Sequence, residues 1–148
     1  MKIRYLLIYT ILTVSYINAY EIKQIKTIEC NKIGYKKLIN LANRYALENK
    51  IDDSLNTAKK ALSCNPKSKE ALLIMARIYN FKKDYNNLLD TAKKIVKLSP
   101  ENYLGNIYLA NAYMKKDKTK AKEILIGLLK KHPEDKQILN KLKVLDEV

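Results

Sequence analysis

The residues of this chain that could do chemistry are few and scattered. His132 is the only histidine, and the two cysteines, Cys30 and Cys64, lie far from it and from each other in sequence. A structural zinc site needs about four thiol or imidazole ligands at short spacings, and a phosphate-binding loop needs clustered glycines, whereas the three glycines here are isolated. Acidic residues at a predicted helix start, Asp52 and Asp53, are typical of helix-dipole stabilisation. We therefore predict no catalytic residue, no metal site and no cofactor, and we expect that the protein is not an enzyme.

The elements that position the side chains are predicted to be helices in a repeated arrangement. Gly and Pro are rare, and Pro66, Pro100 and Pro133 recur at nearly equal intervals. Between them, apolar and small residues recur at the spacing i, i+3, i+4 and i+7, which places them on one face of a helix. The matching positions hold Leu41, Met75 and Leu109, then Ala42, Ala76 and Ala110, then Tyr45, Tyr79 and Tyr113. The pattern predicts helices over residues 35–48, 52–64, 69–82, 85–98, 103–115 and 118–131.

This pattern resembles the tetratricopeptide-repeat (TPR) family, in which a large residue, Leu, a small residue and Tyr mark the first helix and a proline follows the second. The resemblance covers about residues 35–135 in three tandem copies, at 35–68, 69–102 and 103–133. It implies an all-α fold, a right-handed α-solenoid of three helix–turn–helix repeats. Residues 134–148 carry an apolar stripe behind Asp135, and we predict that they form a capping helix over the last core face.

Three features depart from the TPR pattern. Asn106 replaces the first large apolar residue of the third repeat, and Ser54 and Leu88 stand where a small Ala is usual. The third repeat is also one residue short, between residues 116 and 120. We therefore expect a tighter turn between the two helices of that repeat.

Residues 1–19 have the order of a secretory signal. Lys2 and Arg4 precede an uncharged, mainly apolar run from residue 5 to residue 17, and Ala19 is a small residue suited to cleavage. The run is shorter than the roughly 20 residues that a membrane-spanning helix needs. We expect a cleavable signal and export, most simply to a bacterial periplasm, with an uncleaved inner-membrane anchor as the alternative. Residues 20–34 are predicted to be an arm or a short helix.

The two cysteines can pair in an oxidising compartment. Cys30 precedes the first predicted helix of repeat one, and Cys64 closes the second helix. Because these helices are antiparallel, the two ends lie together, and a disulfide would staple the amino-terminal end of the solenoid. Two separately buried thiols are the alternative.

The resemblance also implies where a partner would bind. In TPR proteins the first helices line a concave groove that holds extended peptides or partner helices. The resemblance assigns to this groove Ile39, Asn43, Leu73, Ile74, Arg77, Asn80, Phe81, Ile107, Tyr108 and Asn111. Leu47 and Lys115 occupy the position of Phe81 in the other two repeats. The alternative is that some of these residues pack inside the superhelix.

One subtype of the family holds a terminal carboxylate with a clamp of Lys, Asn and Arg side chains. Of the five clamp positions only Asn43 matches, since the others hold Ile39, Ile74, Leu104 and Tyr108. We therefore do not expect a co-chaperone of that subtype. The expected function is a protein-binding adaptor or scaffold of the bacterial cell envelope, with a partner of unknown identity. Machines for secretion, pilus assembly, transformation or wall assembly are the settings that this expectation names.

A basic surface is the alternative site. The chain has a formal net charge of +14, which favours anionic partners such as nucleic acid or an acidic membrane. Lys59, Lys60, Lys93 and Lys94 occupy matching places on the outward side of the second helices. No aromatic residues alternate with them as a single-strand-binding surface requires. Solvation of the convex face explains the same lysines without a partner.

Overall fold

The computed structural model describes residues 16–17, 30 and 34–147. Most of the predicted signal at 1–19 and of the predicted arm at 20–34 therefore lies outside the described residues. From residue 34 to residue 147 the chain forms helices joined by short turns, without a strand. The helices are α1 (Tyr35–Leu47), α2 (Ile51–Cys64), α3 (Lys69–Phe81), α4 (Tyr85–Leu98), α5 (Tyr103–Lys116), α6 (Lys118–Leu129) and α7 (Lys136–Asp146). None of these helices is long and apolar enough to cross a membrane.

Side chains in the turns cap the amino-terminal ends of most of the described helices. In five helices a side-chain oxygen accepts a hydrogen bond from a backbone N–H of the first turn, which contributes about 1 kcal/mol per helix. The capping residues are Ser68, Asp84, Asn102, Asp117 and Asp135. Repeats one and two each have a turn between their two helices. In these turns Asn49 and Lys83 adopt left-handed backbone conformations, with φ of 59° and 57°. The two turns therefore have the same geometry.

Small side chains allow the helices to pair closely. The residues Ala42, Ala76 and Ala110 on the first helices, and Ala58, Ala92 and Ala121 on the second helices, are fully buried. Larger side chains, among them Leu72, Leu88, Ile95 and Leu125, fill the space between the helix layers. Each helix packs against the next one along the chain, and α3 also packs against α5. The prediction of an all-α solenoid of repeats is confirmed.

The departures from the repeat pattern have local explanations. Ser54 is fully buried, and its hydroxyl donates to the Ala42 carbonyl at 2.7 Å, which satisfies the polar group that replaces a methyl. The Asn106 amide donates to the carbonyls of Pro100 and Asn102 at 2.8 and 2.9 Å. Asp117 is the only residue between α5 and α6, and it caps both helix ends. The shorter third repeat therefore does form the tighter turn.

In repeats one and three, a tyrosine hydroxyl on the first helix hydrogen-bonds the residue that caps the helix after that repeat. Tyr35 hydrogen-bonds the capping hydroxyl of Ser68, and Tyr103 donates to the capping carboxylate of Asp135 at 2.6 Å. Burial and the neighbouring carboxylate raise the pKa of Tyr103 to about 12, and the Tyr103 hydroxyl lowers the pKa of Asp135. Because the two links match, α7 occupies the place of the first helix of a further repeat. Its Ile138 is fully buried against the third repeat.

A disulfide joins the two cysteines, whose Cα atoms are 5.5 Å apart. Cys64 is the last residue of α2, so the bridge closes a loop that contains both helices of repeat one. For a sequence separation of 34 residues, the chain-entropy model assigns the bridge about 4 kcal/mol of stabilisation.

Candidate functional site

The candidate site is a cavity near the carboxyl-terminal ends of α1 and α3. This cavity of about 530 Å³ opens between the two helices and the turn that follows α1. Its lining combines aliphatic, aromatic and amide groups with one guanidinium. The residues are Asn43, Ala46, Leu47, Asn49, Ile51, Arg77, Ile78 and Phe81. A concave, mostly apolar surface with a few polar groups is typical of a binding site.

Two large apolar side chains lie exposed at this cavity. The exposed fraction is 89% for Leu47 and 69% for Phe81, which is the only phenylalanine of the chain. Both are the last residue of a first helix and occupy the same repeat position. In the third repeat this position holds Lys115, which is also exposed. The apolar pair is therefore a property of the first two repeats.

Polar side chains bridge neighbouring first helices along the groove. The Arg77 guanidinium on α3 donates to the Asn43 side-chain oxygen on α1 at 3.4 Å. The Asn111 amide on α5 donates to the Asn80 side-chain oxygen on α3 at 2.9 Å. The Asn111 oxygen is buried and has no hydrogen-bond partner among the described residues. Of these polar residues, Asn43 and Arg77 line the same cavity as Leu47 and Phe81.

The prediction is wrong for two groove residues. Ile74 and Ile107 are only 5% and 3% exposed, and both belong to the core. Ile74 packs in the cluster around α3, and Ile107 packs against the α6 and α7 side chains of the carboxyl-terminal cluster. The physical reason is that each first helix contacts several neighbours, so more than one of its faces is buried. Ile39 and Leu73 are half-buried for the same reason.

Tyr108 is the one tyrosine among the predicted groove residues. It is half-buried on α5, and its ring packs against the central core cluster. Burial raises the pKa of Tyr108, and the positive charge of Arg77 opposes that shift. Leu104, one turn earlier on α5, is 48% exposed.

Sequence reasoning missed part of the cavity wall. Asn49, Ile51 and Ile78 lie outside the groove positions that the resemblance assigns, yet they line the cavity. Asn49 and Ile51 come from the turn and from the start of α2. The left-handed backbone of Asn49 shapes this turn, and the asparagine itself was the only signal available in the sequence.

The alternative basic face is also present. Lys59, Lys60, Lys93 and Lys94 are all exposed on α2 and α4. None of the four forms an ion pair with another residue in the described part of the chain. The Lys93 ammonium lies 6.0 Å from the centre of the Tyr113 ring.

Within residues 34–147, His132 packs edge-on against the Tyr103 ring, and no cluster of three potential metal ligands forms.

Comparisons with known proteins bear on the fold. No protein-family model and no curated protein matches the sequence. Several solved structures do match the three-dimensional fold. The first TPR of Spaghetti (RPAP3), bound to an HSP90 peptide, has a TM-score of 0.71 at 17% identity, covering 76% of this chain and 90% of that chain.

Two further TPR domains give the same result. The carboxyl-terminal TPR-containing domain of a Plasmodium falciparum FK506-binding protein has a TM-score of 0.70 at 22% identity, covering 76% of this chain and 86% of that chain. The TPR domain of Arabidopsis OM64 has a TM-score of 0.71 at 12% identity, covering 76% of this chain and 94% of that chain. The chain therefore has the fold of a tetratricopeptide-repeat domain.

Proposed function

We propose that this protein is a non-catalytic adaptor or scaffold that holds a peptide segment or helix of a partner protein in its concave groove. The observation that carries the proposal is the exposure of Leu47 and Phe81 beside the cavity between α1 and α3. Full burial of such a side chain is worth about 1.5–3 kcal/mol. Two adjacent ones therefore supply a large part of the affinity of a peptide complex.

The type of partner follows from the groove chemistry. The first TPR of Spaghetti is bound to the HSP90 peptide SRMEEVD, which supports peptide binding by this fold. In this chain four of the five carboxylate-clamp positions hold apolar or aromatic residues, which are Ile39, Ile74, Leu104 and Tyr108. A partner that relies on its terminal carboxylate would find no cationic clamp there. An internal segment with apolar side chains fits better.

The location is part of the same proposal. The residue order of positions 1–19 and the disulfide between Cys30 and Cys64 both support export to an oxidising compartment. The proposed site of action is the bacterial periplasm or envelope, in a secretion, pilus, transformation or wall-assembly machine. If the amino-terminal segment is not cleaved, the groove would face the same compartment from an inner-membrane anchor.

The test is capture of the partner with matched variants. Leu47→Ala/Phe81→Ala removes the apolar pair, and Leu139→Ala/Val144→Ala removes two other exposed apolar side chains on α7. The captured protein should remain bound to the control and to wild type at high salt. The groove variant should lose about 2 kcal/mol of affinity or more, about thirtyfold in Kd. Equal binding to both variants would exclude the apolar pair as the contact.

A second candidate function uses the basic face. The four exposed lysines Lys59, Lys60, Lys93 and Lys94 and the net charge of +14 favour an anionic membrane or nucleic acid. Binding through this face would fall steeply with salt and would not depend on Leu47 and Phe81. Replacing the four lysines with Gln should abolish it. Apolar binding in the groove should change little with either treatment.

A further inference from the structure

Among the residues that the structure describes, Arg77 in the cavity wall has no anionic partner. Its guanidinium is exposed, and its one side-chain hydrogen bond in the described part of the chain goes to the neutral amide of Asn43 at 3.4 Å. Some of the other exposed cations do have carboxylate partners. Lys82 pairs with Asp52 on a neighbouring repeat, and Lys122 pairs with Asp146 at 2.6 Å. Most of the five N–H donors of Arg77 therefore remain available to a ligand.

The charges that line the groove are predominantly positive. The resemblance to the TPR family also assigns Lys36 and Glu70, at the second position of repeats one and two, to the groove. With Arg77 and Lys115, the assigned groove positions therefore carry three cations and one acid. The Glu70 carboxylate already accepts hydrogen bonds from Tyr35 and Ser68, at 2.9 and 3.2 Å. No free carboxylate thus competes for Arg77 along this wall among the described residues.

The guanidinium of Arg77 has a shape that fits a carboxylate. A guanidinium is planar and binds a carboxylate with two parallel hydrogen bonds. Such a bond strengthens where water is displaced, and the apolar side chains of Leu47 and Phe81 would displace water when a peptide covers them.

We propose that the groove recognises a partner segment in which an aspartate or glutamate lies close to a large apolar anchor. The anchor covers Leu47 and Phe81, and the carboxylate binds Arg77. This inference rests on the proposed function and assigns the chemistry of its ligand. Arg77 and Phe81 are four residues apart on α3, so their Cβ atoms are about 6 Å apart. An acid two positions from the anchor in an extended peptide, or three to four positions in a helix, spans that distance.

Selection from a display library of random dodecapeptides tests the proposal. The full chain, R77E and L47A/F81A serve as separate baits. With wild type, selected peptides should be enriched in Asp or Glu at a fixed short spacing from Leu, Ile, Met or Phe. With R77E, Lys or Arg should replace the acid at that spacing, because the charge is reversed on an unchanged apolar surface. Since Arg77 is exposed, the helical content of R77E should equal that of wild type.

Affinities of synthetic copies of the selected peptides complete the test. Fluorescence anisotropy should show that R77Q weakens the acidic peptide about three- to tenfold and an amide-substituted version hardly at all. If the peptides selected by wild type are not enriched in Asp or Glu, or if R77E selects the same acidic peptides, the role of Arg77 is overturned. Either result leaves the proposed peptide binding in the groove intact. Selection of no peptide, or equal binding to L47A/F81A, overturns the groove itself, and the inference falls with it.

Discussion

Two glycines within helices give opposite predictions for the same substitution. Gly105 lies in the first turn of α5 and is buried against α4. A Cβ atom added to it would lie 2.5 Å from Cγ2 of Ile95 and 3.2 Å from the capping oxygen of Asn102. Gly127 lies in α6, and a Cβ atom there would meet no atom within 4 Å. Neither glycine adopts a left-handed backbone, so alanine is conformationally compatible at both positions.

The expected free energies of unfolding follow from these distances. Gly→Ala within a helix stabilises by about 0.5–1 kcal/mol, and Gly127→Ala should show this gain undiminished. At Gly105 the fully buried Ile95 side chain cannot move into free space, and overpacking of this kind costs about 1–3 kcal/mol. The net effect of Gly105→Ala is a loss of about 1–2 kcal/mol. The two variants should therefore differ by about 2 kcal/mol.

The assay is urea unfolding followed by far-ultraviolet circular dichroism, with the disulfide intact. Gly105→Ala should lower the unfolding midpoint, and Gly127→Ala should raise it. Ile95→Leu removes the atom that the new Cβ meets, so Gly105→Ala should cost less in that background, with a coupling free energy of about 1 kcal/mol. If Gly105→Ala is as stable as Gly127→Ala, α4 and α5 do not approach as closely as described, and the reasoning fails.

The remaining predictions concern the two ends of the solenoid. Replacing Cys30 and Cys64 with Ser should lower the free energy of unfolding by about 4 kcal/mol, and two reactive thiols in the unfolded, non-reduced wild type would contradict the bridge. Tyr103→Phe should destabilise the fold at neutral pH, because Tyr103 lowers the pKa of Asp135 and that contribution is present above the unfolded pKa of aspartate. The difference between Tyr103→Phe and wild type should shrink as pH falls below about 4, where aspartate in the unfolded chain becomes protonated, and should be lost once pH falls below the lowered pKa of native Asp135. Urea titrations across this pH range, with Tyr85→Phe on α4 as a control hydroxyl, would measure it.

Much of the architecture could be predicted from local sequence because its determinants are local. The helical spacing of Leu41, Ala42 and Tyr45 and the recurring prolines predicted each helix to within about two residues. Solenoid repeats contact mainly their neighbours, so a pattern that identifies one helix pair also identifies its place in the stack. The missing residue of the third repeat likewise predicted its tight turn at Asp117.

The binding surface depended more on tertiary packing. Repeat position predicted groove places for Phe81 and Arg77, which line the cavity between α1 and α3, and also for Ile74 and Ile107, which are buried. A position in a repeat specifies which way a side chain leaves its helix. How far neighbouring helices cover that side chain depends on their spacing, which the volumes of residues such as Gly105 and Ile95 decide. The sequence thus determined the helices, their order and the composition of the groove wall, whereas only helix packing decided which groove residues reach solvent and that Leu47 and Phe81 flank one cavity.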